Sequence, residues 1–130
     1  MDARSPGADS AGATEVILVV DDDPGIRQTI RWALEDEGFT VATAADGQEA
    51  LAQGERHRPA LVILDMTLPV LDGHAVADGL RAGGAAVPIL MITADGSAVA
   101  KARRVGAYAY LKKPFDIDAL LGAVRLGLQP

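Results

Sequence analysis

Cysteine is absent from the 130-residue chain, which excludes a disulfide framework, a thiolate zinc site and a cysteine nucleophile together. Positive charge is also short. Twelve Lys and Arg stand against 18 Asp and Glu, a formal net charge of −6. A protein that grips nucleic acid non-specifically wants the opposite sign, so direct contact with DNA or RNA is disfavoured. No apolar run approaches the ~20 residues that cross a bilayer. The opening MDARSPGADSAGAT holds no apolar stretch of the kind a secretory signal requires. The expected address is the cytoplasm, with no membrane partner. What is present is an ordinary globular mixture, 49% apolar and 23% charged. At this length one domain is expected. It can bury roughly two thirds of its unfolded surface without a disulfide or metal staple.

Residues 1–14 offer almost nothing to bury and read as a flexible N-terminal tail, followed by a single domain over 15–128. From Glu15 the pattern changes. Val16-Ile17-Leu18-Val19-Val20 is apolar at every position and stops at three aspartates; Leu61-Val62-Ile63-Leu64 repeats the pattern and stops at Asp65. Val87 to Ile92 does the same before Thr93. Strands that are apolar throughout are covered on both faces, as in a parallel sheet between helical layers. Weaker strands fit Thr40–Thr43 and Tyr108–Leu111. Pro24–Glu37 sets Ile26, Ile30, Ala33 and Leu34 on one helical face, with Asp23 as N-cap, Pro24 at the first position and Gly38 at the stop. Asp46–Gly54, Asp72–Ala82, Ser97–Val105 and Asp116–Leu126 complete an alternation of strand and helix. The expectation is one open α/β sheet with right-handed crossovers.

In such sheets the chemistry lies outside the carboxyl ends of the strands, where strand order reverses. The polar residues at those ends are Asp21, Asp22 and Asp23, Asp65, Thr93, and Lys112 with Lys113. In a flavodoxin-like order the first and third strands are neighbours, so their aspartates converge. Clustered carboxylates repel, and burial adds to the cost. A hard divalent cation relieves both, and an all-oxygen donor set favours magnesium over zinc. Asp23 reads as a helix cap and Lys112 as a solvated loop residue. Lys113, followed by Pro114, reads as a point charge facing a carboxylate or phosphoryl group; a cis bond at that proline would aim it inward.

In order and at nearly the right spacing, VVDDDPGIR, VILDMTLPVLDG, ILMITA and GAYAYLKKPF resemble the response-regulator receiver domain of two-component signalling. The resemblance covers about Glu15 to Leu126. It implies a flavodoxin-like, doubly wound parallel sheet in the order 2-1-3-4-5. It also implies a phosphoacceptor at Asp65 and magnesium held by Asp21, Asp22, Asp65 and the backbone carbonyl of Thr67. Thr93 becomes the switch hydroxyl, Lys113 the catalytic lysine, and Tyr110 the aromatic that changes position on activation. The donor is expected to be a histidine kinase or histidine phosphotransfer protein, facing Pro24, Arg27, Gln28 and Arg31. Trp32, beside the apolar stripe, is expected to be partly exposed. The stretch from Thr93 to Lys113 is shorter than is common in the family, so the fourth helix is expected to be short. A monomer or weak phosphorylation-dependent dimer is expected. The chain ends with the last helix, so no effector output is read from it, and a free-standing regulator and a segment of a longer one both fit.

Two rivals belong to other classes. Asp21-x-Asp23 after a buried strand resembles the opening of a haloacid-dehalogenase-type phosphatase, with Asp21 as nucleophile. A flavin-binding module uses the same fold, but its phosphate loop wants Ser, Thr and Gly where this chain has three negative charges.

Overall fold

A computed structural model of the chain describes residues 15–66, 73–82, 86–94 and 98–129. The expected tail, residues 1–14, lies outside these, as does Thr67. The elements alternate in chain order: β1 Val16–Val20, α1 Pro24–Asp36, β2 Thr40–Ala44, α2 Gly47–His57, β3 Leu61–Asp65, α3 Gly73–Arg81, β4 Ile89–Thr93, α4 Ala98–Val105, β5 Ala109–Lys112 and α5 Ile117–Leu128. The strands form one sheet in the order β2-β1-β3-β4-β5, and every pairing is parallel.

Two-residue periodicity divides the strands between two cores. Ile17, Val19, Leu61, Ile63, Leu90 and Ile92 face Ile30 and Leu34 of α1 and Leu120 and Val124 of α5. Leu18, Val20, Val62, Leu64, Ile89 and Met91 face Ala50 of α2, Val76 and Ala77 of α3, and Ala102 and Val105 of α4. Burying the central strands on both faces supplies most of the apolar burial, roughly 1.5–3 kcal/mol for each large side chain taken from water. It also explains the unbroken apolar runs in the sequence.

The expected elements are all present, with shifted ends. Helix α1 starts where Asp23 caps it, accepting from the amides of Gly25 at 2.8 Å and Ile26 at 3.2 Å. Asp116 caps α5 through the Ala119 amide at 2.8 Å. Helix α2 continues past Gly54 to His57, because Gly54 is a packing socket and not a stop. A Cβ there would collide with the Leu80 side chain of α3. The actual stop is Arg58, whose φ of 47° places it in the left-handed region. Strand β4 starts at Ile89, later than the apolar run begins; Pro88 cannot donate, though its carbonyl accepts from Val62 at 3.0 Å. Strand β5 runs from Ala109 to Lys112, one residue later than expected. Helix α4 has eight residues and is the shortest of the described helices.

Two glycines on α5 face different surroundings. A Cβ on Gly122 would meet nothing within 4 Å, whereas one on Gly127 would strike the Tyr108 hydroxyl end and come 2.6 Å from Leu61 Cδ1. Tyr108 is held there by its hydroxyl, which donates to the Ala123 carbonyl at 2.7 Å. Gly122→Ala is therefore expected to raise stability by about 0.5–1 kcal/mol through helix propensity. Gly127→Ala is expected to lower it by about 1–3 kcal/mol through overpacking. Thermal melts of the two variants check the pair, which should move in opposite directions.

Candidate functional site

Four neighbouring strands deliver polar residues to one end of the sheet. Asp21 follows β1, Asp65 ends β3, Thr93 ends β4 and Lys113 follows β5. The strand order reverses at β1 and β3, where such a fold opens a crevice. Asp21, Asp65 and Thr93 are the buried polar residues among those described. A polar group fully removed from water needs a partner, and a charge needs one more strongly.

Asp21 is braced from several sides. Its amide donates to the Ala44 carbonyl at 3.1 Å, continuing the β1–β2 ladder by one residue. Its Oδ1 accepts from the Asp23 amide at 2.9 Å. Its carbonyl accepts from Arg27 Nη1 at 2.8 Å. Its Oδ2 lies 3.1 Å from Lys113 Nζ, an ion-pair contact, but this buried oxygen receives no well-directed hydrogen bond. Lys113 Nζ also reaches Asp65 Oδ2 at 3.4 Å. One ammonium thus stands between two buried carboxylates. Burial alone would lower its pKa, but the close contact with Asp21 and the charges of Asp21 and Asp65 outweigh that, and the pKa is raised. The lysine backbone joins in as well: its amide donates to the Thr93 carbonyl at 2.8 Å. The Lys113–Pro114 peptide is cis.

Asp22 is exposed, yet one carboxylate oxygen from each of Asp21, Asp22 and Asp65 lies within 4.8 Å of the others. At that spacing two like charges repel by about 3 kcal/mol at an effective dielectric of 20, and by less at exposed Asp22. Lys113 offsets part of this. The all-oxygen donor set, the surplus of negative charge and the Asp21 oxygen left without a hydrogen bond together fit a hard divalent cation such as magnesium. The fourth expected ligand, the carbonyl of Thr67, lies outside the described residues.

The other sequence-derived candidates spread around this centre. Tyr110 lies on β5 opposite Met91 of β4 and is 38% exposed. Pro24 and Arg31 are exposed on α1, with Arg31 Nε paired to Glu35 at 3.1 Å. Gln28 is half-buried. Trp32 is 63% exposed, as expected from its place beside the apolar stripe. Arg27 differs from its helical neighbours because its side chain turns back to the Asp21 carbonyl. Helical spacing gives no sign of that contact, since it joins a helix residue to a loop residue six positions earlier.

Comparison with known proteins bears on the family and the fold. The family model for the response regulator receiver domain matches residues 17–125. Response regulator MprA of Mycobacterium leprae is 41% identical over 111 residues, covering 84% of this chain and 49% of MprA. The chain spans about half the length of such curated relatives. Among solved structures, the chemotaxis protein CheY4 of Vibrio cholerae superposes with a TM-score of 0.83 at 36% identity, covering 89% of this chain and all of CheY4. The receiver domain of NtrX from Brucella abortus gives 0.80 at 38% identity, covering 86% of this chain and 97% of that domain. The haloacid-dehalogenase alternative is not supported.

Lys113→Met leaves the carboxylates without their ammonium. Complete burial of a broken pair costs about 3–5 kcal/mol; with the lysine partly exposed, a loss of at least about 1 kcal/mol is expected. A raised lysine pKa contributes stability that is present below the unfolded value of about 10.4 and is lost as pH rises through the folded value. The gap between wild type and Lys113→Met in urea melts should therefore be constant from pH 7 to 9 and shrink above pH ~10.4.

Proposed function

The chain belongs to the response-regulator receiver domain family, and we propose that Asp65 is its phosphoacceptor, with a histidine kinase or histidine phosphotransfer protein as donor. The observation that carries this reading is the placement of Lys113 Nζ between Asp21 Oδ2 and Asp65 Oδ2, at 3.1 and 3.4 Å, beside a trio of acids able to hold a cation. In the transfer, the phosphorus–nitrogen bond of a phosphohistidine breaks and a bond from an Asp65 carboxylate oxygen to phosphorus forms. The imidazole leaves with the electron pair. Water later cleaves the acyl phosphate to inorganic phosphate and the free carboxylate. This loose transfer demands little of the protein beyond positioning and charge.

Each side chain has a share. Asp65 stands at the end of a buried strand, and its share is in-line attack on the docked donor. Lys113 gives its charge to the phosphoryl oxygens once they arrive, trading part of its contact with Asp21. Thr93 offers its hydroxyl to a phosphoryl oxygen, and Tyr110, now 38% exposed, turns inward as Thr93 moves. When bound at Asp21, Asp22 and Asp65, with Thr67 carried over from the family, magnesium supplies further neutralisation of negative charge. A contact made in only one state biases the balance between two conformations, which is how a signalling domain changes a distant face. The domain is a signalling module over 15–128 whose catalysis is confined to its own phosphorylation and dephosphorylation. Its place is the cytoplasm, beside the kinase. The donor docks on the rim of the pocket formed by Pro24, Arg27, Gln28 and Arg31.

Two outcomes follow. Millimolar magnesium should raise the melting temperature by a few degrees, since ligand at ten times its Kd adds about 1.4 kcal/mol; Asp65→Asn should lose most of that rise. Acetyl phosphate should label the wild type in a magnesium-dependent way, and Asp65→Asn should lose the label. A label that survives in Asp65→Asn and disappears in Asp21→Asn would overturn the assignment.

A further inference from the structure

We propose that Arg27 is a positioning residue of the acid pocket: by holding the Asp21 carbonyl it sets how Asp21 and Asp22 are presented to a divalent cation. The inference rests on the phosphoacceptor reading and deepens it. The carbonyl in question belongs to the peptide that joins the two acids. A peptide is planar, so fixing its oxygen restrains the backbone torsions on both sides, those of Asp21 and those of Asp22. The Asp21 carboxylate is already fixed by the Asp23 amide and Lys113. Asp22 has no such brace among the described residues. It is exposed, and the rigid peptide before it is what directs its side chain toward the pocket.

Arg27 is well placed for this. Its own backbone is anchored in the first turn of α1, where its amide donates to the Asp23 carbonyl at 3.0 Å. From there the side chain runs back, half-buried, to donate from Nη1 to the Asp21 carbonyl at 2.8 Å. A hydrogen bond from a charged donor is roughly twice as strong as a neutral one. Among the described residues Arg27 forms no ion pair with a carboxylate, so it braces the acids without occupying their oxygens. Groups that orient metal ligands in this way typically matter about 10–100-fold in affinity.

The test separates bracing from charge. Arg27→Met keeps the length of the stem and removes the donors, whereas Arg27→Lys keeps one donor and the charge. Magnesium affinity is measured by calorimetric titration at 25 °C on variants shown by circular dichroism to be folded. Arg27→Met is expected to bind magnesium about tenfold more weakly, and Arg27→Lys to stay within about threefold of wild type. Removing a positive charge near a cation site would, by Coulomb's law alone, tighten binding. Equal or tighter binding by Arg27→Met therefore overturns the assignment, even if its melting temperature falls. If Arg27→Met does not fold, Arg27→Gln, too short to span the same gap, carries the same expectation. If the wild type itself binds no magnesium, the phosphoacceptor reading falls with this one; normal wild-type binding with an unaffected Arg27→Met removes only the role of Arg27.

Discussion

The confinement of several carboxylates at one end of a buried sheet is the constraint on which the rest of this structure depends. Asp21 and Asp65 are nearly inaccessible to water, and Asp22 adds a third charge within 4.8 Å. Such a cluster is unfavourable in isolation, because desolvation and mutual repulsion act in the same direction. Lys113, just after β5, offsets part of it with its ammonium, and the all-oxygen donor set is compatible with a divalent cation. In the proposed transfer, the phosphoryl group would bring new negative charge to an ammonium that already stands between Asp21 and Asp65.

The sheet makes this confinement possible. Parallel pairing in a fixed register brings the ends of β1, β3, β4 and β5 side by side, so residues far apart in sequence share one pocket. Lys113 is tied to β4 by its amide on the Thr93 carbonyl and to β1 and β3 by its ammonium. The proposed switch hydroxyl and the proposed charge carrier are therefore linked by backbone. Tyr110 lies three residues before that link on the outermost strand of the described sheet.

Much of this was legible in the residues alone. Double-sided burial is written directly as unbroken apolar runs such as Leu61 to Leu64, and caps such as Asp23 and Asp116 are local chemistry. The polar residues that end those runs, Asp21, Asp65 and Thr93, are the ones the fold brings together. Sequence was weaker where the deciding contact is tertiary. Gly54 reads as a stop because its local preference is for turns, yet Leu80 from the next helix makes it a socket. Gly127 likewise sits inside α5 and against Tyr108. Arg27 reads as a partner-facing helix residue because periodicity describes which way a Cβ points, and a long flexible side chain can turn back from there. Its contact with Asp21 becomes visible only with the loop and helix folded.

The central claim is that Asp65, and not Asp21, receives the phosphoryl group in a pocket that also holds a cation. A crystal structure grown with magnesium and beryllium fluoride, a mimic of an acyl phosphate, tests it most directly. The account predicts the fluoroberyllate bonded to an Asp65 carboxylate oxygen, magnesium touching Asp21, Asp22 and Asp65, and Lys113 Nζ moved from Asp21 onto a fluoride. An adduct on Asp21, or a pocket holding neither group at saturating concentrations, would contradict it.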